Sequence, residues 1–242
     1  MGEYREFAPP TGLISVVACL WENDGIREQV QRVVPDGCVD LVWLNDELLI
    51  VGADTGPVLF APTGGGERVS GIRLRPGAAG AVLGIPASEV RDARVPAAAV
   101  WPEFAVSLGG ALALADPADR LDVLARAVLQ RKGERDCLVA AAAIRLAAPS
   151  ARIGTVAADL GVSERHLHRR TVAAIGYNPK TLQRVTRMRR LIAMSEHSSR
   201  LPLAQRAAAA GYASQAHMSD DVRRLTGLTP VRFLEDASLT AA

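Results

Sequence analysis

The sequence predicts an α+β protein: a mostly β amino-terminal domain with closing helices over 1–132, and an all-α carboxy-terminal domain over 134–236. That second domain should hold about seven helices, including two helix-turn-helix units. Three observations carry the prediction. Short apolar runs bounded by turn residues fill the first third of the chain, and helical periodicity takes over after Asp116. Two stretches near the carboxy terminus repeat one pattern. The charge is split: residues from 134 on carry 16 Arg or Lys and 9 Asp or Glu, so +7, whereas 1–133 carry 12 and 17, so −5. A net +2 for the whole chain conceals that asymmetry.

In the first domain, Val30 to Pro35, Val39 to Leu44, Glu47 to Val51 and Val69 to Leu74 read as short strands, with turns at Pro35-Asp36-Gly37 and Asn45-Asp46. Gly56-Pro57 and Gly64-Gly65-Gly66 mark loops, and no Gly-Lys-Ser/Thr follows the second to make it a phosphate loop. Arg75-Pro76-Gly77 ends the last strand before a short helical stretch to Gly84. Asp116 and Pro117 suit the N-cap and first position of a helix on which Leu121, Leu124, Ala125, Val128 and Leu129 share a stripe. The stripe is a candidate dimer surface, although burial within its own domain explains it more economically.

The second domain opens with a helix from about 134 to 147, placing Cys137, Leu138, Ala141, Ile144 and Leu146 mostly on one face before Pro149. The repeated pattern follows. Its first copy turns at Gly161 and its second at Gly211; after a turn one residue longer in the second copy, Ser163, His166, Gly176 and Pro179 recur 51 places on as Ser214, His217, Gly227 and Pro230. An Ala-rich helix permits close packing, a Gly supplies positive φ, and a Ser caps the next helix. A long helix from about 179 to 196 joins the copies, with Leu182, Val185, Met188 and Ile192 on its apolar face. At ~1.5 Å per residue it forms a rod of roughly 28 Å, enough to hold two helices near one DNA turn, ~34 Å, apart.

On these residues, the run Ile153-x-x-Val156-Ala157-x-x-Leu160-Gly161-Val162-Ser163-Glu164-Arg165-x-Leu167-x-Arg169 and the closing Gly211-Tyr212-x-Ser214-x-x-His217-Met218-Ser219 with Gly227-Leu228-Thr229-Pro230-x-x-Phe233, the chain resembles the DNA-binding domain of the AraC/XylS transcription regulators. The amino-terminal part resembles a domain of one subgroup of these regulators through Tyr4-Arg5-Glu6-x-x-Pro9-Pro10, Cys19-x-Trp21, Pro35 to Trp43 and Gly71 to Gly77. The resemblance implies a sensor or dimerisation role and, from the family's usual sensor, a small β-barrel of cupin type.

A helix-turn-helix reads bases with the first turns of its second helix. The expected DNA-binding residues are therefore Ser163, Glu164, Arg165, His168, Arg169 and Arg170 in the first unit, and Ser214, Gln215, Ala216, Ser219, Arg223 and Arg224 in the second. Arginine can grip guanine through two bonds, and the Gln215 amide suits adenine. His166 and His217 read as packing or phosphate-adjacent residues rather than base readers. Where the first copy has Arg169-Arg170 the second has Asp220-Asp221, so the second unit should contribute less affinity. Arg165, Arg169, Arg184, Arg187 and Arg190 would, without the repeat, read merely as a solvated basic face.

Trp21, Cys38, Trp43 and Arg73 are candidates to line an effector site. All four histidines lie beyond residue 165, so the first domain lacks an imidazole for a metal site; no cofactor and no enzymatic activity are expected. Two alternatives use cysteine: a DNA-directed alkyl-acceptor enzyme, or a redox sensor working through Cys19 and Cys38. Three scattered cysteines, the start Met1-Gly2-Glu3-Tyr4 and the lack of a run approaching ~18 apolar residues point to the cytoplasm and away from a membrane. Expected partners are promoter or operator DNA, RNA polymerase, an effector of unassigned identity, and a second copy of the chain.

Overall fold

The computed structural model describes residues 4–23, 30–60, 68–197 and 201–235. Six strands form one antiparallel sheet in the order β1-β2-β7-β4-β5-β8. They are β1 (Tyr4–Phe7), β2 (Val17–Asn23), β4 (Val39–Leu44), β5 (Glu47–Val51), β7 (Val69–Leu74) and β8 (Arg94–Pro96). A separate ribbon pairs β3 (Gln31–Val33) with β6 (Val58–Phe60). Strands β4, β5 and β7 keep the bounds that their apolar runs predict, and the Val30 to Pro35 run shortens to β3. Asn45 and Asp46 both take positive φ, the conformation of a two-residue hairpin turn between β4 and β5.

The expected barrel is corrected to an open sheet, with β1 and β8 as its edges. Its two faces do different work. Leu41, Trp43, Ile50, Ile72 and Leu74 enter the core, whereas their alternates Asp40, Val42, Leu49 and Arg73 line a cavity on the opposite face. Three helices cover the core face: α1 (Ala79–Leu83), α2 (Pro102–Leu114) and α3 (Arg120–Arg131). Helix α3 starts at Arg120 instead of Pro117, because residues 116–119 close a turn in which Asp119 N donates to Asp116 O at 2.8 Å. Its Leu121, Leu124, Ala125 and Val128 are buried against the protein's own core, so the stripe is an internal face and only Leu129 is left exposed. Residues Gly64-Gly65-Gly66 lie outside the described part of the chain.

Seven helices follow: α4 (Cys137–Leu146), α5 (Ile153–Asp159), α6 (Glu164–Ile175), α7 (Pro179–His197), α8 (Leu203–Ala210), α9 (Gln215–Thr226) and α10 (Pro230–Glu235). The α4 face is also corrected. Val139, Ala140, Ala142 and Leu146 turn inward, and Cys137 and Ile144 face out. In a helix so rich in Ala, two stripes were compatible with the pattern, and packing selected the one against α5, α6 and α7. Buried residues of the sheet and of the helical domain form one continuous cluster, from Leu13 to Phe233. Among the described residues no helix is long and apolar enough to cross a membrane.

Two outcomes test this packing. Gly71 lies directly across from Trp21 in the β2–β7 register, and a Cβ there would fall 2.2 Å from the indole. Gly71→Ala should therefore lower stability by about 1–3 kcal/mol through overpacking, measured by denaturant unfolding. Asp136 caps α4, accepting from Val139 N at 3.1 Å, and pairs with Arg170 Nε at 2.7 Å. Burial pushes its carboxyl up, but the bonds from Arg170 and from the Val139 backbone outweigh this and hold it below the usual range. Because the folded form prefers the charged group, its contribution is present at neutral pH and is lost as pH falls through the carboxylate range. Asp136→Ala should cost about 1 kcal/mol at pH 7, and the difference from wild type should shrink steadily as unfolding is measured from neutral into acid pH.

Candidate functional site

The two predicted units match bond for bond. Helix α5 ends with Gly161 at φ +69°, and α8 with Gly211 at φ +91°. In the first, Gly161 N donates to Ala158 O at 2.9 Å and Val162 N to Ala157 O at 3.0 Å. In the second, Gly211 N donates to Ala208 O at 3.0 Å and Tyr212 N to Ala207 O at 2.9 Å. Both are Schellman closures, which satisfy carbonyls that a helix end leaves open. The additional residue in the second turn is Ala213, whose N–H points to His217 Nδ1 at 3.4 Å. Ser163 and Ser214 then cap α6 and α9 alike, each Oγ accepting the third backbone N–H beyond it, of His166 and of His217, at 3.1 Å. Gly176 and Gly227 end the two helices with positive φ.

These caps turn the expected residues outward. Glu164, Arg165, His168 and Arg169 are exposed on α6 above the buried Leu167, and Gln215 and Ala216 are exposed on α9 above the buried Met218. Ser219 is half-buried, and Arg223 and Arg224 lie exposed in the last turn of α9. Arg170 is committed to Asp136. The carboxylate pair that broke the repeat separates: Asp220 is exposed, but Asp221 is 4 % exposed and pairs with Arg184 at 3.2 Å and His217 at 3.5 Å. The expectation that both oppose phosphates is thus corrected for Asp221, which is an interior partner. His217 also sets its ring edge-on to Tyr212, the packing role expected of it.

The arginines of α7 brace the second unit against α4. Arg190 donates to Ala210 O at 2.8 Å and also to Ala147 O, joining the ends of α8 and α4. Arg187 lies over the Tyr212 ring at 5.4 Å. Gln183 Nε2 donates to Ala151 O at 2.8 Å. A solvated basic face therefore describes α7 poorly: these side chains tie it to the ends of α4 and α8, to Tyr212 and to the segment before α5.

The cavity on the sheet has a volume of about 340 Å³, within the size range of small-molecule sites. Aliphatic and aromatic side chains of β4, β5, β7 and the ribbon line most of it, and Tyr4, Trp21, Asp40 and Arg73 form its polar end. Arg73 Nε reaches Asp40 at 3.1 Å and Asp36 at 3.6 Å, while Nη1 stands 3.7 Å from Glu6. Burial opposes the Arg73 charge, yet Asp40 and Asp36 outweigh it and hold the guanidinium charged. Of the four residues expected to line an effector site, Trp21 and Arg73 do so. Trp43 is corrected to the core face, because strand alternation from Asp40 and Val42 sends it the other way. Cys38 lies beside the polar end without lining the cavity, its N–H donating to Asp36 Oδ1 at 2.8 Å.

Contacts from this domain reach the far ends of α6 and α9. Arg91 Nη1 donates to Gly176 O at 3.3 Å, and Arg32 Nη1 to Thr226 O at 3.0 Å. Tyr177, next after Gly176, is buried against the Asp36 turn, where a Cβ on Gly37 would meet its hydroxyl at 2.6 Å. Nothing local in the sequence marks Arg32, Arg91 or Tyr177, since their partners lie far along the chain. The thiols are poorly suited to chemistry: burial pushes Cys19 up to about 12 and raises Cys38 well above its ordinary value, so both stay protonated and weakly nucleophilic.

Residues 156–236 match the family described as a helix-turn-helix domain, and residues 5–96 match a domain of unknown function, DUF6597. No curated protein matches the chain. Among solved structures it is similar to ToxT from Vibrio cholerae O395, at 11 % identity and a TM-score of 0.44, covering 92 % of this chain and 99 % of that one. A second ToxT structure from Vibrio cholerae, in a P21 crystal form, gives 8 % identity and a TM-score of 0.42 over 97 % of each chain. Likeness at that level says nothing of what this chain binds. The carboxy-terminal domain is an AraC-type helix-turn-helix domain, the DNA-binding part of a transcription regulator, carried behind a β-rich domain of the DUF6597 family.

Proposed function

We propose that residues 134–236 bind promoter DNA through two reading helices, α6 and α9, and that residues 1–132 set this binding in response to a small effector in the sheet cavity. The observation that carries the reading is the bond-for-bond equivalence of the two units, each with the same Schellman closure, serine cap and terminal glycine. Two such helices on one braced rod suit successive major grooves of one duplex. Arg165, Arg169 and His168 would meet bases or phosphates from α6, Gln215 and Ala216 would meet bases from α9, and Arg223 and Arg224 would meet the backbone. Such a protein acts in the cytoplasm, on DNA and RNA polymerase, without catalysis of its own.

Effector control would run through the far ends of the same helices. The ribbon that lines the cavity carries Arg32, bonded to α9, and the Asp36 turn lies between Arg73 and Tyr177 at the end of α6. A ligand that favours one arrangement of the ribbon and turn thereby favours one relation between α6 and α9.

Arg165→Ala should cost about 1–3 kcal/mol of operator binding and relax preference at one base position, read by competition against sequence variants. A loss equal on every sequence would assign Arg165 to the backbone instead. Asp220→Arg should tighten binding and steepen its salt dependence by about one ion; an unchanged salt slope would place Asp220 away from phosphates. Arg32→Ala should speed amide exchange in the last turn of α9 by about tenfold and leave α6 unchanged, with the converse for Arg91→Ala. Equal effects on both helices, or none, would sink the idea of separate holds.

A further inference from the structure

Resting on the reading of the cavity as the effector site, the charge and bonding of its polar end bear on which molecules it would take. Two guanidiniums, Arg73 and Arg94, line the cavity. Neither is open to an anion. Arg94 makes a two-bond pair with Asp54 at 2.8 and 2.7 Å, and Arg73 bonds both oxygens of Asp40, with Asp36 and Glu6 close behind. Four carboxylates therefore surround two cations, and a carboxylate or phosphate on a ligand would enter a field of its own sign.

A cation fits no better. Of those four carboxylates only Asp40 lines the cavity, and both its oxygens already accept from Arg73. What the polar end leaves open are donors. Arg73 Nη1 is buried without a hydrogen-bond partner, in a side chain 8 % exposed, and Trp21 Nε1 is likewise unpartnered. Burial raises the Asp40 carboxyl overall; the nearby indole only partly opposes this and does not make a bond of acceptable geometry to it. Apart from these donors, the paired Asp40 and Arg94, and the polar Tyr4 and Asn23, the wall is apolar, formed by side chains such as Val42, Leu49, Val58 and Phe60. Buried donors without partners are costly, and an acceptor oxygen on a ligand would remove that cost without adding charge.

We propose that the cavity takes an uncharged, mainly apolar small molecule that presents a carbonyl or similar acceptor oxygen to Trp21 Nε1 and Arg73 Nη1. Gly71 belongs to this arrangement, because only a residue without a Cβ lets the indole lie across β7. The site discriminates by charge: a ketone, ester or amide satisfies the donors, and an acid or amine of equal length does not.

The test is calorimetric titration of the full-length protein with methyl heptyl ketone, nonanoate and nonylamine at neutral pH. The ketone should bind at least about tenfold more tightly than either ion. Trp21→Phe, which keeps a ring and loses the N–H, should weaken the ketone by about three- to tenfold. Val42→Phe should abolish binding by filling the cavity, and Val58→Phe, on the ribbon, serves the same end should the first variant fail to fold. Nonanoate or nonylamine binding as tightly as the ketone, and lost in the filled variants, would overturn the preference for a neutral ligand while leaving the cavity as the effector site. Full ketone affinity in Trp21→Phe would overturn the assignment of the indole as donor. Binding untouched by both filling variants, or no binding by any of the three compounds, would overturn the cavity reading itself.

Discussion

A helix leaves its last carbonyls without partners, and in this protein the β domain answers that need at α6 and α9. Arg91 and Arg32 each donate to a backbone oxygen at the end of one helix, Gly176 O and Thr226 O, where a cation also complements the helix dipole. The opposite ends are capped by serines and exposed. Each helix is thus held by its own protein at one end and available at the other. The sheet domain therefore holds one end of each helix, and the serine-capped end of each is exposed.

The second unit is tied to α7 and α4 by interior arginine chemistry. Helix α7 could have been a spacer covered in solvated charge, but Arg184 pairs with a buried carboxylate and Arg190 bonds carbonyls at the ends of α8 and α4. A buried ion pair of this type is costly to break, because removing Arg184 would take the guanidinium from a nearly inaccessible Asp221 and leave it only His217. The basic excess of the domain accordingly has two uses. Arg165, Arg169, Arg223 and Arg224 remain outside, and Arg184, Arg187 and Arg190 hold the frame.

The repeat was legible because its parts are local. A positive-φ glycine, a capping serine and an alanine stripe each act within a few residues, so Gly161, Ser163, Gly211 and Ser214 could be assigned from the sequence and take those roles in the structure. The strands β4, β5 and β7 were legible for a similar reason, since each is a run of apolar residues between turns. Strands β1, β2, β6 and β8 carry weaker patterns: β1 exposes most of its residues, and β8 is three residues long with a proline on an edge. In the cavity, Trp21 and Arg73 were recognisable as polar or aromatic residues on strands, but the face each side chain takes depends on register. The same alternation that delivers them to the cavity sends Trp43 to the core.

By itself, then, the sequence determined a duplicated helix-turn-helix behind an acidic β domain, because caps, turns and charge balance are read from neighbours in the chain. Only the tertiary structure decided which face of the sheet is hollow, why Asp221 differs from Asp220, and where Arg32 and Arg91 take hold. Those features join residues as many as 194 positions apart, as Arg32 and Thr226 are. Contacts over such separations are chosen by packing of the whole core, and no pattern of a few residues encodes them.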